Sequence, residues 1–339
     1  MSRTPLAYFV PAWLDACALY RMFMPHLHIE RSKFGFHPKE SPINEFASSD
    51  VVIVQRQASR GNLVAMAQMR EMGLKLVYDL DDDLWSIPAS SPAKRIFDGI
   101  KAGFAPCMEL ADVITVSTEG LRTAVLTSVP EARKKEIVVI PNGVDFDYVL
   151  PPILPRREDR VVVGWGGSNT HAGDVGVAFG VLPELLDELP QMYLEFVGHD
   201  PPLSIKNHPR VRIRQYVPVG EFAARFSTWA WDIVLAPLDD CRFNRSKSNI
   251  KVLEASAIGA ACLMSPVGPY ARFCELDTRT NWLLCHSQHQ WKNKIRELVN
   301  DRAKRHSYAA LARGVAEAYF DQNKIAEKWV QTFNEALAV

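Results

Sequence analysis

Between Leu238 and Gly259 the chain reads LDDCRFNRSKSNIKVLEASAIG, and its charged residues are spaced to hold an anion. Arg242, Arg245 and Lys247 stand in a loop that follows an apolar run, residues 232–238, and precedes a helical run, residues 248–259. Ser248 or Asn249 is placed to cap that helix. The helix start, Ser248, Asn249 and Ile250, would then offer unpaired amides to a negative ligand. Lys247, Lys251 and Glu254 fall at i, i+4 and i+7 and make one polar stripe, opposite an apolar stripe of Ile250, Leu253 and Ala257. The plainer alternative is a surface helix carrying a Lys/Glu pair.

Two further groups of residues carry chemistry. Gly164, Trp165, Gly166, Gly167 and Ser168 follow an apolar run directly, so a tight turn with exposed amides can approach a phosphate there, although the full dinucleotide fingerprint is missing. His171 could add a donor or a positive charge to the same place. The second group is Tyr78-Asp-Leu-Asp-Asp-Asp-Leu-Trp85. Four carboxylates in five residues at a strand end repel strongly unless something meets them. Three readings stand for them: a place in a cleft, a D-x-D metal site made by Asp79 and Asp81 or by Asp81 and Asp83, and helix capping by Asp79 or Asp81. Trp13, Trp85, Trp165, Trp229 and Trp231 are either packing residues or surfaces for a sugar or a base.

Elements must position these groups, and the chain is long enough to supply them. At 339 residues it accommodates two domains of ordinary size. Thirty-nine basic residues balance 39 acidic ones, so no global field draws nucleic acid or an anionic membrane, and a polyanion must be recognised locally. The six cysteines form no C-x-x-C pair and no zinc spacing, which points to a reduced, cytoplasmic setting. The first apolar run, residues 5–14, is too short to span a bilayer and is broken by Pro11, so it is expected to be a buried strand. No later run reaches the length of a membrane span, and a soluble protein is expected.

Short β-rich runs recur with helical segments between them, the rhythm of a parallel sheet: 7–10, 51–55, 74–78, 113–116 and 137–140. Helices are expected at 62–72, stopped by Gly73, and at 118–126. Pro151, Pro152 and Pro155, followed by Arg156, Arg157, Glu158 and Asp159, form a linker candidate. The rhythm then restarts, with strands at 161–164, 193–197, 211–215, 232–238 and 261–265 and helices at 175–189, 220–227 and 248–259. Helices at 292–300, 303–319 and 324–338 close the chain. The expected architecture is α/β, two Rossmann-like doubly wound domains facing a cleft.

Several ordered pieces together resemble glycosyltransferase family 4, retaining nucleotide-sugar enzymes of the GT-B fold. They are Val139-Ile-Pro-Asn-Gly-Val-Asp145, Val163-Gly-Trp-Gly-Gly-Ser168, Phe196-Val-Gly198, Ile250-Lys-Val-Leu-Glu-Ala-Ser-Ala-Ile-Gly259 and Ser265-Pro-Val-Gly-Pro-Tyr270. The resemblance implies an acceptor domain over residues 1–152, a nucleotide-sugar domain over 153–310, and C-terminal helices, 311–339, returning to the first domain. It implies sugar transfer from a nucleotide diphosphate sugar, UDP- or GDP-linked, with retention and without a metal or other cofactor.

Roles follow for single positions. Glu254 matches the second glutamate of the family's E-x7-E motif, which accepts hydrogen bonds from the ribose. The first glutamate is replaced by Ser246. The family's Arg and Lys on the diphosphate are absent after the glycine turn, where Trp165, Thr170 and His171 stand, so Arg242, Arg245, Lys247 and above all Lys251 are expected to stabilise the departing phosphates instead. Asp81 or Asp82 is expected to touch the transferred sugar, a place where the family often has a His-Asp pair. Tyr20 and Arg21 could reach the acceptor, and Asn142 and Gly143 form a turn in which glycine tolerates positive φ. The acceptor itself, a glycan, a small molecule or modified nucleic acid, is not named by the sequence. The altered motif also leaves a non-catalytic nucleotide-sugar or glycan-binding module as a rival, and the Arg156, Arg157 and Arg160 cluster leaves a transferase acting on nucleic acid.

Overall fold

The computed structural model describes residues 4–35, 43–147, 156–167, 171 and 173–338. The linker prolines Pro151, Pro152 and Pro155, together with Ser168 and Thr170, lie outside the described residues. Strands that are buried on both faces, such as Val51–Gln55, need helices above and below, and the chain supplies them by alternation. Two parallel sheets result among the described residues.

The first sheet contains β1 (Ala7–Val10), β2 (Ser32–Phe34), β3 (Val51–Gln55), β4 (Lys75–Leu80), β5 (Val113–Val116) and β6 (Glu136–Val139), in the order β2-β1-β3-β4-β5-β6. Strand β2 was not expected: three residues, Ser32, Lys33 and Phe34, give no apolar run, and they are held by pairing with β1. The second sheet contains β7 (Val161–Gly166), β8 (Met192–Val197), β9 (Val211–Arg214), β10 (Ile233–Ala236) and β11 (Ala261–Met264), in the order β11-β10-β7-β8-β9. Each order reverses once, between β1 and β3 in the first sheet and between β7 and β10 in the second. The carboxyl ends of the strands at such a reversal are where open α/β sheets bind ligands. The loops after β1, β3, β7 and β10 are therefore the ones that matter.

Most expected helices form with shifted ends. Ser59 caps Arg60–Glu71, which stops before Gly73 at φ 81°, and Thr118 caps Glu119–Ser128. The helix expected at 175–189 is instead two, Gly176–Phe179 and Leu182–Glu188, because Pro183 is tolerated near a helix start and cannot continue the preceding turn. The helix Arg302–Phe320 packs on Ile250–Ala257 and β11, and the chain crosses only afterwards. Val144 exchanges backbone hydrogen bonds with Phe320 and Gln322, and the last helix, Gln322–Ala338, lays Ile325, Trp329, Phe333 and Ala336 on Phe9, Ile53 and Val77 of the first sheet. Gly143 serves this crossing. Its φ is not positive, but a Cβ there would meet the Gln322 carboxamide at 2.3 Å.

Gly164 and Gly166 belong to a strand rather than a turn, and Gly167 follows its end. Gly164 lies within β7, and a Cβ on it would sit 2.0 Å from the buried Trp231 ring, so the glycine makes room for the tryptophan. Trp165 is buried as well. Gly164→Ala is expected to cost about 1–3 kcal/mol of stability through overpacking, measured by equilibrium urea denaturation; an unchanged midpoint would contradict the close packing of β7 on Trp231.

Candidate functional site

At the end of β4 the chain turns each carboxylate of the acidic run to a different cation. Asp79 is fully buried and takes the Arg21 guanidinium at 2.5 Å and the Thr115 hydroxyl at 2.8 Å. Burial nonetheless holds its pKa above the usual carboxylate value, with Arg21 pulling the other way. Asp81, also buried, lies 3.5 Å from Arg56 Nε. Asp82 lies 3.8 Å from Lys247 Nζ. Asp83 takes Arg242 at 2.8 Å and the Ser86 hydroxyl at 2.5 Å. The run therefore caps no helix among the described residues, and the carboxylates of each expected D-x-D pair are held by different cations. Asp81 and Asp82 instead approach Cys17, one ligand atom of each lying within 4.8 Å of the others. The two cations already on those carboxylates, and a thiol that burial keeps protonated, fit a metal poorly.

Arg21 and Tyr20 come from one π-helical turn, Leu19–Phe23, a geometry that recurs at functional sites. Arg21, which the sequence left open as an acceptor contact, is buried instead. Only 1% exposed, it donates to Asp79, to the Ile140 carbonyl and to Asn142. Asn142 in turn donates to the Ser248 hydroxyl at 3.0 Å, across to the second domain. Tyr20 also reaches across, donating to Glu254 Oε1 at 2.5 Å.

On the second domain the expected anion loop is a short helix, Arg242–Arg245, and its cations are already engaged. Arg245 points to solvent and pairs with Asp240 at 2.6 Å, so it does not converge with the others. The Ser246 carbonyl accepts from the Thr118 hydroxyl at 2.7 Å. The helix beyond spans Ile250–Ala257, with Asn249 at its cap position, yet neither expected capping bond forms: Asn249 makes no side-chain cap and Ser248 is taken by Asn142. Lys247 lies outside the helix, so the expected polar stripe reduces to Lys251 and Glu254. Lys251 Nζ donates to the Gly166 carbonyl at the end of β7 and sits 5.6 Å over the Trp165 ring. Burial lowers the Lys251 pKa and raises that of Glu254, each opposed by the other's charge.

The glycine turn offers less than expected. Gly166 ends the strand, and the Gly167 amide is spent on the Val197 carbonyl at 3.0 Å. His171 supplies no positive charge at neutral pH. Its Nδ1 faces Asp174 at 2.8 Å, and burial, with Lys247 and Lys251 nearby, pushes its pKa down to about 4. Beside this corner, an open hollow of about 510 Å³ follows β8 and β9, lined by Gly198, His199, Arg214 and Tyr216. Among the tryptophans, Trp165, Trp229 and Trp231 are buried packing residues, and Trp13 alone of the five is broadly exposed.

The structure thus brings together Asp82, Lys247, Lys251, Glu254 and Gly166 around one seam, and sets Arg245 apart. Sequence reasoning missed the Tyr20–Glu254, Asn142–Ser248 and Thr118–Ser246 contacts. Each joins residues more than 100 positions apart, for which one sequence holds no local signal.

No family model matches the chain, and no curated protein matches it. Solved structures do. A crystal structure of Anabaena Alr3699/HepE in complex with UDP-glucose superposes with a TM-score of 0.68 at 15% identity, over 97% of this chain and 99% of that one. Sucrose-phosphate synthase from Thermosynechococcus elongatus gives 0.68 at 14% identity, over 98% and 99%. The pneumococcal O-GlcNAc transferase GtfA, in complex with UDP and GlcNAc, gives 0.59 at 16%, over 87% and 59%. At such identities the likeness carries the fold: the chain has the GT-B architecture, two Rossmann-like domains with C-terminal helices.

The His171 pKa has a consequence for stability. An unfolded histidine protonates near pH 6.5, whereas this one stays neutral to about 4, so the unfolded chain binds the extra proton first. The stability this lends is complete above pH 6.5 and is lost as pH falls towards 4. His171→Gln is therefore expected to flatten the fall in unfolding midpoint over that window; an unchanged slope would show that the ring titrates normally.

Proposed function

We propose that the protein transfers a sugar from a nucleoside diphosphate sugar to an acceptor, with retention and without a metal. The observation that carries this reading is the corner made by Lys251 and Glu254, one turn apart on the helix that leaves the reversal of the second sheet, with Lys251 held on the Gly166 carbonyl. A cation and a carboxylate at that end of a Rossmann-like sheet match a diphosphate and a ribose, and structures of the similar HepE hold UDP-glucose or UDP. In this reading Glu254 accepts from the ribose hydroxyls and the base enters the hollow beside Gly198 and Tyr216. The transferred sugar then lies between Lys251 and the end of β4, where Asp82 can accept from a hydroxyl.

The chemistry asked of the side chains is modest. As the bond between the sugar's anomeric carbon and the phosphate oxygen breaks, negative charge grows on the phosphates. A lysine held in a partly buried corner stabilises that charge more in the transition state than in the bound donor. The acceptor oxygen bonds to the anomeric carbon on the same face, and its proton passes to the departing phosphate. No protein nucleophile is required. The extent of charge pairing at the seam, with Asp82 on Lys247 and Asp83 on Arg242, favours a second reading, a nucleotide-sugar-binding module without turnover. Release of free sugar from bound donor, or transfer to any acceptor, would exclude it.

Glu254→Gln and Lys251→Met are each expected to weaken UDP binding about tenfold, the scale of a lost hydrogen bond to a charged group, as read by isothermal titration calorimetry. Unchanged affinity in both would sink the donor-site assignment.

A further inference from the structure

Polar contacts join the segment from Arg242 to Glu254 to the first domain: Arg242 with Asp83, the Ser128 hydroxyl and the Ala124 carbonyl, the Ser246 carbonyl with Thr118, Lys247 with Asp82, Ser248 with Asn142, and Glu254 with Tyr20. Two of them involve the groups that a nucleotide diphosphate would need. Glu254, assigned to ribose hydroxyls, already accepts a hydroxyl proton, that of Tyr20, at a separation typical of a charge-assisted bond. Lys247, a candidate for the phosphates, already faces an anion, the Asp82 carboxylate at 3.8 Å. The Tyr20 contact is supported by packing as well, since Leu19, Tyr20 and Met24 form an apolar cluster that reaches Ile250 at the start of the same helix, and Val219.

We infer that Tyr20 and Asp82 act as an internal stand-in for the donor, a hydroxyl on Glu254 and an anion near Lys247, which a nucleoside diphosphate must displace on entry. This inference rests on the donor site proposed above. The phenol, 2.5 Å from Oε1, occupies one of the carboxylate's few acceptor sites, so it competes with a ribose hydroxyl for that oxygen. Tyr20 belongs to the first domain and Glu254 to the second, so exchange requires the facing surfaces to part at this point. Donor affinity is thereby lowered by the fraction of molecules in which the contact is closed. The device makes Tyr20 a residue that opposes donor binding although it lines the donor site, the reverse of the effect expected for a binding residue.

The test uses UDP as the probe and the full chain, with calorimetric titration of four proteins. Tyr20→Phe keeps the ring in its apolar cluster and removes the hydroxyl. Asp82→Asn keeps the shape and removes a charge that burial, with Asp81 and Asp15 nearby, already disfavours. Each is expected to bind UDP more tightly than the parent, Tyr20→Phe by about tenfold, the size of one net hydrogen bond to a charged group. Glu254→Gln is expected to bind it more weakly. Failure of either Tyr20→Phe or Asp82→Asn to tighten binding, with Glu254→Gln still weakening it, overturns the stand-in and leaves the donor site intact. Failure of Glu254→Gln to weaken binding overturns the donor site, and the stand-in with it.

Discussion

The guanidinium of Arg21, sealed inside the first domain beneath the cleft, sets the geometry of the residues around it. Removing both Arg21 and Asp79 from water is costly, and their attraction offsets the cost only if the remaining donors are satisfied. Arg21 meets that condition by donating to Asp79, the Ile140 carbonyl and Asn142 together. Loss of one partner from such a buried pair typically costs about 3–5 kcal/mol, so the arrangement does not open in ordinary fluctuation. It fixes the end of β4, the turn after β6 and the π-helical turn relative to one another. Through Asn142 it also fixes Ser248, the residue that leads into the helix Ile250–Ala257.

The contacts outside this buried pair are of another kind. Lys247 and Asp82 keep 16% and 24% of their side chains in solvent and stand 3.8 Å apart. Partly exposed pairs of this sort contribute about 0–1 kcal/mol. Arg242, about half exposed, instead meets a fully buried Asp83. A ligand with two phosphates could exchange the Lys247–Asp82 pair without disturbing Arg21. The seam therefore combines a rigid pivot near Asn142 with weaker contacts at Asp82 and Tyr20, which suits a cleft whose two walls must separate locally to admit a ligand and keep their register.

Much of this was legible in the sequence, for reasons that vary by element. The parallel sheets followed from apolar runs such as Val51–Gln55 alternating with capped helices, and Gly73 and Gly259 stand at helix ends as expected, both at positive φ. Periodicity failed where tertiary pairing supplies the order, as in β2, and where proline divides a helical run, as at Pro183. At the candidate site the residue types were readable but their partners were not. The basic loop advertised cations, and the fold neutralises them with an acidic run some 160 positions away. The glycine turn advertised free amides, and the strand consumes that of Gly167. Arg21 carried no signal of burial, since a lone arginine in an apolar stretch reads as a surface residue until Asp79 is brought beneath it.

A crystal structure of the protein with UDP tests the central assignment most directly. The ribose hydroxyls are expected on Glu254, the phosphates near Lys251 and the end of β7, and the Tyr20 hydroxyl moved away from the carboxylate, with the Arg21–Asp79 pair unchanged. UDP bound elsewhere, with the Tyr20–Glu254 hydrogen bond intact, would contradict it.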